Sequence, residues 1–415
     1  MKASTLKIAV LVSLVLPLFF LSCNKTTDEN LPEKPVPINL TADQVLLVKS
    51  ENTFSFDIFK KILENSAESE NIIISPLSIS CALSMTLNGA NGATRDAMLE
   101  ALRVNGLTPE IINNSYRDLS KALLHVDKRV LISIANSVWS EKNFEVKIPF
   151  TNILTEYYSA ESMSFDIIDP VAYEVINSWI EEKTNGLIKN MLNNLDDNTV
   201  MLLINAIYFK GKWNSQFDKD KTVIKPFYKI DGTTSEVPMM KQVSDYKVFS
   251  DEGFIIAEFP YGQGNFVMDV ILPAGQTGTN ELMPLLNDES FNGLLEKMTK
   301  HETDLTFPRF KYGFKQNLND ILTEMGMGIA FTDNADFSNI SDMSLQITKV
   351  LHDAFIETNE EGTEAAAATI VEVGETSVNP DKINLNIDHS FLYFIRETQT
   401  NSILFMGKVA DPLAE

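Results

Sequence analysis

The stretch Glu360-Glu361-Gly362-Thr363-Glu364-Ala365-Ala366-Ala367-Ala368-Thr369, continued by Ile370-Val371-Glu372-Val373-Gly374-Glu375-Thr376-Ser377-Val378-Asn379-Pro380, decides how the chain is read. On propensity alone its four consecutive alanines favour a helix. Strand parity offers a second reading. Thr363, Ala365, Ala367, Thr369, Val371 and Val373 then share one uncharged and largely small face, and Glu364 and Glu372 share the other. A segment of that kind can slide between existing strands, since small inward residues meet little steric resistance and no proline removes a ladder hydrogen bond before Pro380. Glu375 breaks the pattern near the end of the insert, where its carboxylate can stay wet.

The surrounding chain has 415 residues, 44% of them hydrophobic, with 34 Lys and Arg against 57 Asp and Glu, a formal charge of −23. A chain this acidic repels a phosphate backbone unless its cations are strongly segregated, and no basic face is evident, so no nucleic-acid partner is expected. Two cysteines cannot build a multi-bridge framework, so stability must come from packing. From about Asp43 onward no second linker or internal repeat occurs, and one large domain over 43–415 is expected. Helical spacing comes first, with Phe54, Ile58 and Ile62, then Thr94 to Leu102 and Thr108 to Val126. Val130 to Trp139 and Thr199 to Phe209 are β-branched and aromatic runs that read as central strands covered on both faces. Phe266 to Leu272, Leu305 to Phe307, Phe391 to Ile395 and Ile403 to Met406 add short strands, which makes the fold class α+β.

Met1 to Ser22 reads as an export signal, with Lys2 and Lys7 before the apolar run Ile8 to Leu21. Phe20-Leu21-Ser22-Cys23 is similar to a bacterial lipoprotein box, which makes Cys23 the candidate lipidated residue and the membrane a partner through it. Residues 23–42 are polar, carry Pro32, Pro35 and Pro37, and read as a tether. The exported protein is then expected in the bacterial cell envelope, and removal of Lys2 and Lys7 takes the charge from −23 to −25.

Catalytic motifs are missing. His125, His301, His352 and His389 lie in no metal-binding spacing, and no nucleophile elbow, phosphate-cradling loop or dinucleotide fingerprint occurs, so no metal, no cofactor and no enzymatic activity are expected.

What does recur is an ordered set of segments. Asn71-Ile-Ile-Ile-Ser-Pro-Leu-Ser-Ile-Ser80, Trp179-Ile-Glu-Glu-Lys-Thr-Asn-Gly-Leu-Ile188, Asn205-Ala-Ile-Tyr-Phe-Lys-Gly-Lys-Trp213, Val237-Pro-Met-Met240, Phe307-Pro-Arg-Phe310 and Asp388-His-Ser-Phe-Leu-Tyr-Phe394 follow the order of a serpin. Over nearly the whole body the sequence resembles that family. The resemblance implies helices packed around three β-sheets with an exposed reactive-centre loop, and a monomer that traps serine proteases as a covalent acyl complex while the loop inserts into the main sheet. The hinge would be Glu360, Gly362, Thr363, Glu364, Ala365, Ala366, Ala367 and Ala368. Counting the family's usual seventeen residues from Glu360 places the cleaved bond between Thr376 and Ser377, with registers after Val373 or Gly374 as alternatives. A small uncharged Thr376 suits elastase-like or broad subtilisin-like pockets, while Glu375 disfavours many papain-like proteases. A polar cluster of Ser75, Ser78, Asn205 and His352 would gate the opening sheet, and Trp213, Glu360 and Arg309 match the point where insertion begins, the last two as an ion pair. A non-inhibitory binding protein and a cross-class inhibitor of cysteine proteases are the alternatives. Cys81 is expected to be buried and inert.

Overall fold

The computed structural model describes residues 36–196, 199–275, 278–363 and 382–414. Of the sites expected above, Cys23, Glu364, Ala365, Ala366, Ala367, Ala368, Thr376 and Ser377 lie outside those residues. Among the described residues eight α-helices come mostly first: α1 (Ala42–Glu64), α2 (Pro76–Leu87), α3 (Gly92–Ala101), α4 (Pro109–His125), α5 (Ile148–Tyr158), α6 (Ala172–Lys183), α7 (Asp288–Lys297) and α8 (Asn319–Leu322). Helix α1 starts well before its apolar periodicity because Thr41 and Gln44 form a reciprocal capping box. Thr108 caps α4 through its side chain alone, which accepts from the Ile111 amide, with Pro109 at the first helical position.

The described strands hydrogen-bond into two sheets. One has six strands in the order β10 (Phe310–Asn317), β11 (Leu351–Asn359), β12 (Gly362–Thr363), β4 (Met201–Lys212), β2 (Val130–Glu141) and β3 (Glu161–Phe165). The other has nine: β1 (Ile72–Ile74), β15 (Ile403–Val409), β14 (Phe391–Glu397), β8 (Phe266–Pro273), β7 (Phe254–Tyr261), β6 (Thr234–Ser250), β9 (Thr299–Pro308) and β13 (Ile383–Asn386), with β5 (Val223–Tyr228) on the first half of β6. The expected second and third sheets thus run together through one strand. Strand β6 pairs β5 and β9 along most of its 17 residues, and its last four residues pair β7.

Strands β14 and β15 are buried along their whole length, and their apolar side chains make the core with Phe54, Phe56 and Phe59 of α1. The expectation that β2 and β4 are covered on both faces holds only in part, since Leu131 is 55% exposed and Leu203 and Asn205 are half-buried. Packing in the nine-stranded sheet is close where Gly407 faces Tyr393. A Cβ on Gly407 would stand 2.2 Å from the Tyr393 ring, and that ring cannot retreat because its hydroxyl is 2.8 Å from Tyr312 Oη, which itself donates to the Ile72 carbonyl. Gly407→Ala is expected to cost about 1–3 kcal/mol of stability by overpacking, seen as a lowered melting temperature; an unchanged melt would refute the contact.

Candidate functional site: a divided sheet, its hinge and its gate

Strand β12 is two residues long and is the sole ladder between β11 and β4 among the described residues: Thr363 pairs Thr358 on one side and Gly211 on the other, and Gly362 pairs Asn359 and Lys212. Below it the two strands diverge over a cavity of about 170 Å³, floored by α2 and lined by Ile79, Ala82, Leu203, Asn205, Val350 and His352. Its apolar walls and its position between two strand edges make it a slot that an extended, small-residue segment can fill.

At the upper end the chain is clamped. Glu360 is 1% exposed, and its Oε1 accepts from Arg309 Nε at 2.7 Å, from Arg309 Nη2 and from the Thr222 hydroxyl. Burial works against its charge, but the hydrogen bonds from Arg309 and Thr222 outweigh that and hold the carboxyl below the usual glutamate range. The backbone is gripped too: Trp213 donates from Nε1 to the Asn359 carbonyl and from its amide to the Glu361 carbonyl, and the Phe217 amide donates to the Glu360 carbonyl, each at 2.9 Å. Trp213 stacks on Tyr261 with centroids 4.4 Å apart, and the Tyr261 hydroxyl lies 2.7 Å from Thr363 Oγ1. Lys219 Nζ sits 2.5 Å from Glu361 Oε1. Gly362 has φ +150° and passes so close to Gly211 that a Cβ would meet its carbonyl oxygen at 2.0 Å, so only glycine fits.

The four residues expected to form a gate come together beneath the gap. Ser75 caps α2, its Oγ accepting from the Ser78 amide at 3.2 Å and donating to the Leu404 carbonyl at 2.8 Å. The Ser75 amide donates to His352 Nε2 at 3.1 Å, which ties α2 to β11. The Ser78 hydroxyl donates to Asn205 Oδ1, which ties the same helix to β4. His352 is buried, and burial pushes its pKa down to about 4, so the ring is neutral and can accept that bond. The expected cluster is therefore assembled, two pairs on opposite banks of one slot.

Other members escaped the sequence reading. Asn205 Nδ2 donates to Asn136 Oδ1 at 2.6 Å, Asn136 Nδ2 to the Tyr158 carbonyl at 2.7 Å, and the Tyr158 hydroxyl to Asn113 Oδ1 at 2.8 Å. Asn136 lies directly opposite Asn205 in the β2–β4 ladder; an asparagine in each of two apolar strand runs was the available signal. Thr222, Lys219 and Tyr261 carried none, because only folding brings them to the hinge. Cys81 is buried, its thiol pushed up by burial, with Sγ 3.7 Å from Asn136 Oδ1. Among the described residues no cluster could hold a metal ion, and no helix is long and apolar enough to cross a membrane.

The fold is α+β, with a six-stranded sheet joined between β11 and β4 by the two residues of β12, and the comparisons give it a family. Residues 49–412 match the family model described as Serpin (serine protease inhibitor). Iripin-3 of Ixodes ricinus is 34% identical over 352 residues, covering 83% of this chain and 90% of its own, and Serpin-Z2A of Triticum aestivum is 33% identical over 90% and 98%. Among solved structures, the thermophilic serpin tengpin in the native state aligns with a TM-score of 0.82 at 30% identity, over 91% of this chain and 97% of that one. Human thyroxine-binding globulin in complex with thyroxine aligns with a TM-score of 0.81 at 29% identity, over 90% and 100%. The chain belongs to the serpin family, whose members are mostly protease inhibitors, some of them non-inhibitory.

Two outcomes are expected. Arg309→Ala leaves the buried Glu360 carboxylate with one side-chain donor, costing about 1–3 kcal/mol and lowering the melting temperature of the uncleaved protein; an unchanged melt would show that the clamp carries no stability. Because the folded-state pKa of His352 is depressed from 6.5 to about 4, its contribution is complete above pH 6.5 and lost as pH falls toward 4. His352→Gln should flatten that acid limb of the stability curve, and a limb of unchanged steepness would contradict the assignment.

Proposed function

We propose that the chain is an inhibitory serpin that traps serine proteases through its own loop insertion. The observation that supports this most is the hinge: Gly362 and Thr363 already sit as a strand between β11 and β4 at the head of an apolar slot. Residues 364 onward have the composition to continue that strand, with Ala365, Ala366, Ala367 and Ala368 and no proline before Pro380. Glu360, held by Arg309 and seated against Trp213, would be the fixed end of the moving segment. Ser75, Ser78, Asn205 and His352 would act as the gate, since a strand entering between β4 and β11 has to pass directly over the bonds they make.

A protease attacking the bond after Thr376 forms an ester between its serine and the Thr376 carbonyl and releases the amine of Ser377. Freed at that end, the loop inserts. About fourteen residues at roughly 3.3 Å each carry the acyl-enzyme some 45 Å, and the drag distorts the protease before water can hydrolyse the ester. The resting fold must then be kinetically held rather than lowest in free energy. Thr376 favours elastase-like or broad subtilisin-like targets, because it offers no cation to the buried aspartate of a trypsin pocket. Residues 1–22 would direct export and Cys23 would carry a bacterial-type lipid anchor, with 23–42 as tether and 43–415 as the inhibitory domain.

The test mixes the protein with pancreatic-type elastase and with subtilisin and follows denaturing gels and the mass of the released peptide. A complex of summed mass that survives denaturation, together with a peptide beginning at Ser377, is expected. Cleavage without complex, and a cleaved form that melts where the intact one does, would mark a non-inhibitory binding protein instead.

A further inference from the structure

With one exception, the buried carboxylates among the described residues each have at least one partner that can only donate, a cation or a backbone amide. Arg396 faces Glu258 and Asp269, Arg309 faces Glu360 and Lys219 faces Glu361. Backbone amides serve the others: those of Gln399 and Thr400 for Glu397, those of Arg129 and Gln263 for Asp127, and that of Asn143 for Glu141. Glu51 in the middle of α1 is different. It is 5% exposed, and two hydroxyls donate to its side chain, Ser80 of α2 to Oε2 at 2.5 Å and Tyr116 of α4 to Oε1. A hydroxyl donates to a carboxylate and accepts from a carboxylic acid, so these surroundings suit both protonation states. Ser80 has somewhere to turn, because its Oγ is also 3.1 Å from the Leu77 carbonyl in the first turn of α2.

The other titratable groups near it are Cys81 on α2, Tyr116 on α4 and Tyr158 at the end of α5, all neutral at ordinary pH. No cation reaches it among the described residues. On α1 itself Asp57 and Lys61 belong to exposed ion pairs with Arg103 and with Glu64 and Glu324; Lys408 of β15 spends its ammonium on the Ala67 carbonyl, and Arg396 of β14 is taken by Asp269 and Glu258.

We propose that Glu51 is a proton switch beneath the gate helix: as the neutral acid it donates to Ser80, which turns its hydroxyl onto the Leu77 carbonyl, and on releasing the proton to solvent it draws both hydroxyls to itself as a carboxylate. Burial raises its pKa from 4.5 to about 7, consistent with a proton retained near neutrality. The linkage runs one way. Its contribution to stability is complete below pH 4.5 and is lost as pH rises through about 7, where an uncompensated charge forms on α1 against the helix that carries Ser75 and Ser78. This reading stands whether or not the loop inhibits a protease.

The experiment compares melting temperatures of the full chain and its Glu51→Gln variant from about pH 5 to about pH 8.5. The amide stays neutral throughout, so the two should melt together at the acid end and the variant several degrees higher at the alkaline end. A gap that is constant across the range overturns the proposal. Should Glu51→Gln not fold, Ser80→Ala decides: with one donor to the carboxylate gone, the titration midpoint of a protonated-carboxyl infrared band moves to higher pH, and an unmoved midpoint overturns it equally.

Discussion

Among the described residues, two hold the halves of the six-stranded sheet together by strand pairing. Below the pairings of Gly362 and Thr363, β4 and β11 share no described ladder, and what joins them is α2, reaching one bank through Ser75 and the other through Ser78. A ladder is a run of repeated bonds that must break as a unit. A seam of four side chains breaks one bond at a time, each worth roughly 1 kcal/mol net. Everything else in the region serves that difference: the neutral His352, the asparagine pair across β2 and β4, and the clamp that keeps residues 359–363 seated while the gap beneath them stays open.

The nine-stranded sheet has the opposite character. Arg396 on β14 sits between Asp269 on β8 and Glu258 on β7, and Lys247 on β6 closes the row from the surface. Burial pushes Asp269 up, to about 6, against the pull of Arg396. Truncating one member of such a group would strand a buried charge, which is far more costly than losing a surface pair. One sheet is therefore pinned by charges that cannot be exchanged, while the other is left divided along a seam of neutral groups that can.

Legibility in the sequence followed the same line. Periodicity located α1, α3, α4 and the main strands, the ordered segments brought Ser75, Ser78, Asn205, Trp213 and Arg309 into view, and the family resemblance those segments carried added His352 and Glu360. Asn136, Thr222, Tyr261 and Lys219 stayed hidden, since their roles arise only from cross-strand register or from turns that fold back onto the hinge. Glu51 was silent for a plainer reason: one acidic residue in an amphipathic helix looks like any other until its neighbours are known to be hydroxyls. Leu131 misled in the opposite sense, an apolar residue in a strand-like run that faces outward.

The chain that follows the loop returns through β13 to β14 and β15, and those last two strands lie inside the nine-stranded sheet with β8 on one flank and β1 on the other. A cut anywhere between residues 364 and 381 therefore separates the polypeptide without separating the molecule. The short C-terminal piece would stay threaded through the core as two fully buried strands, recoverable only under denaturant. A molecule nicked there without capturing a protease would keep its native mass apart from a water, so such nicks would be hidden from any mass measurement that leaves the fold standing.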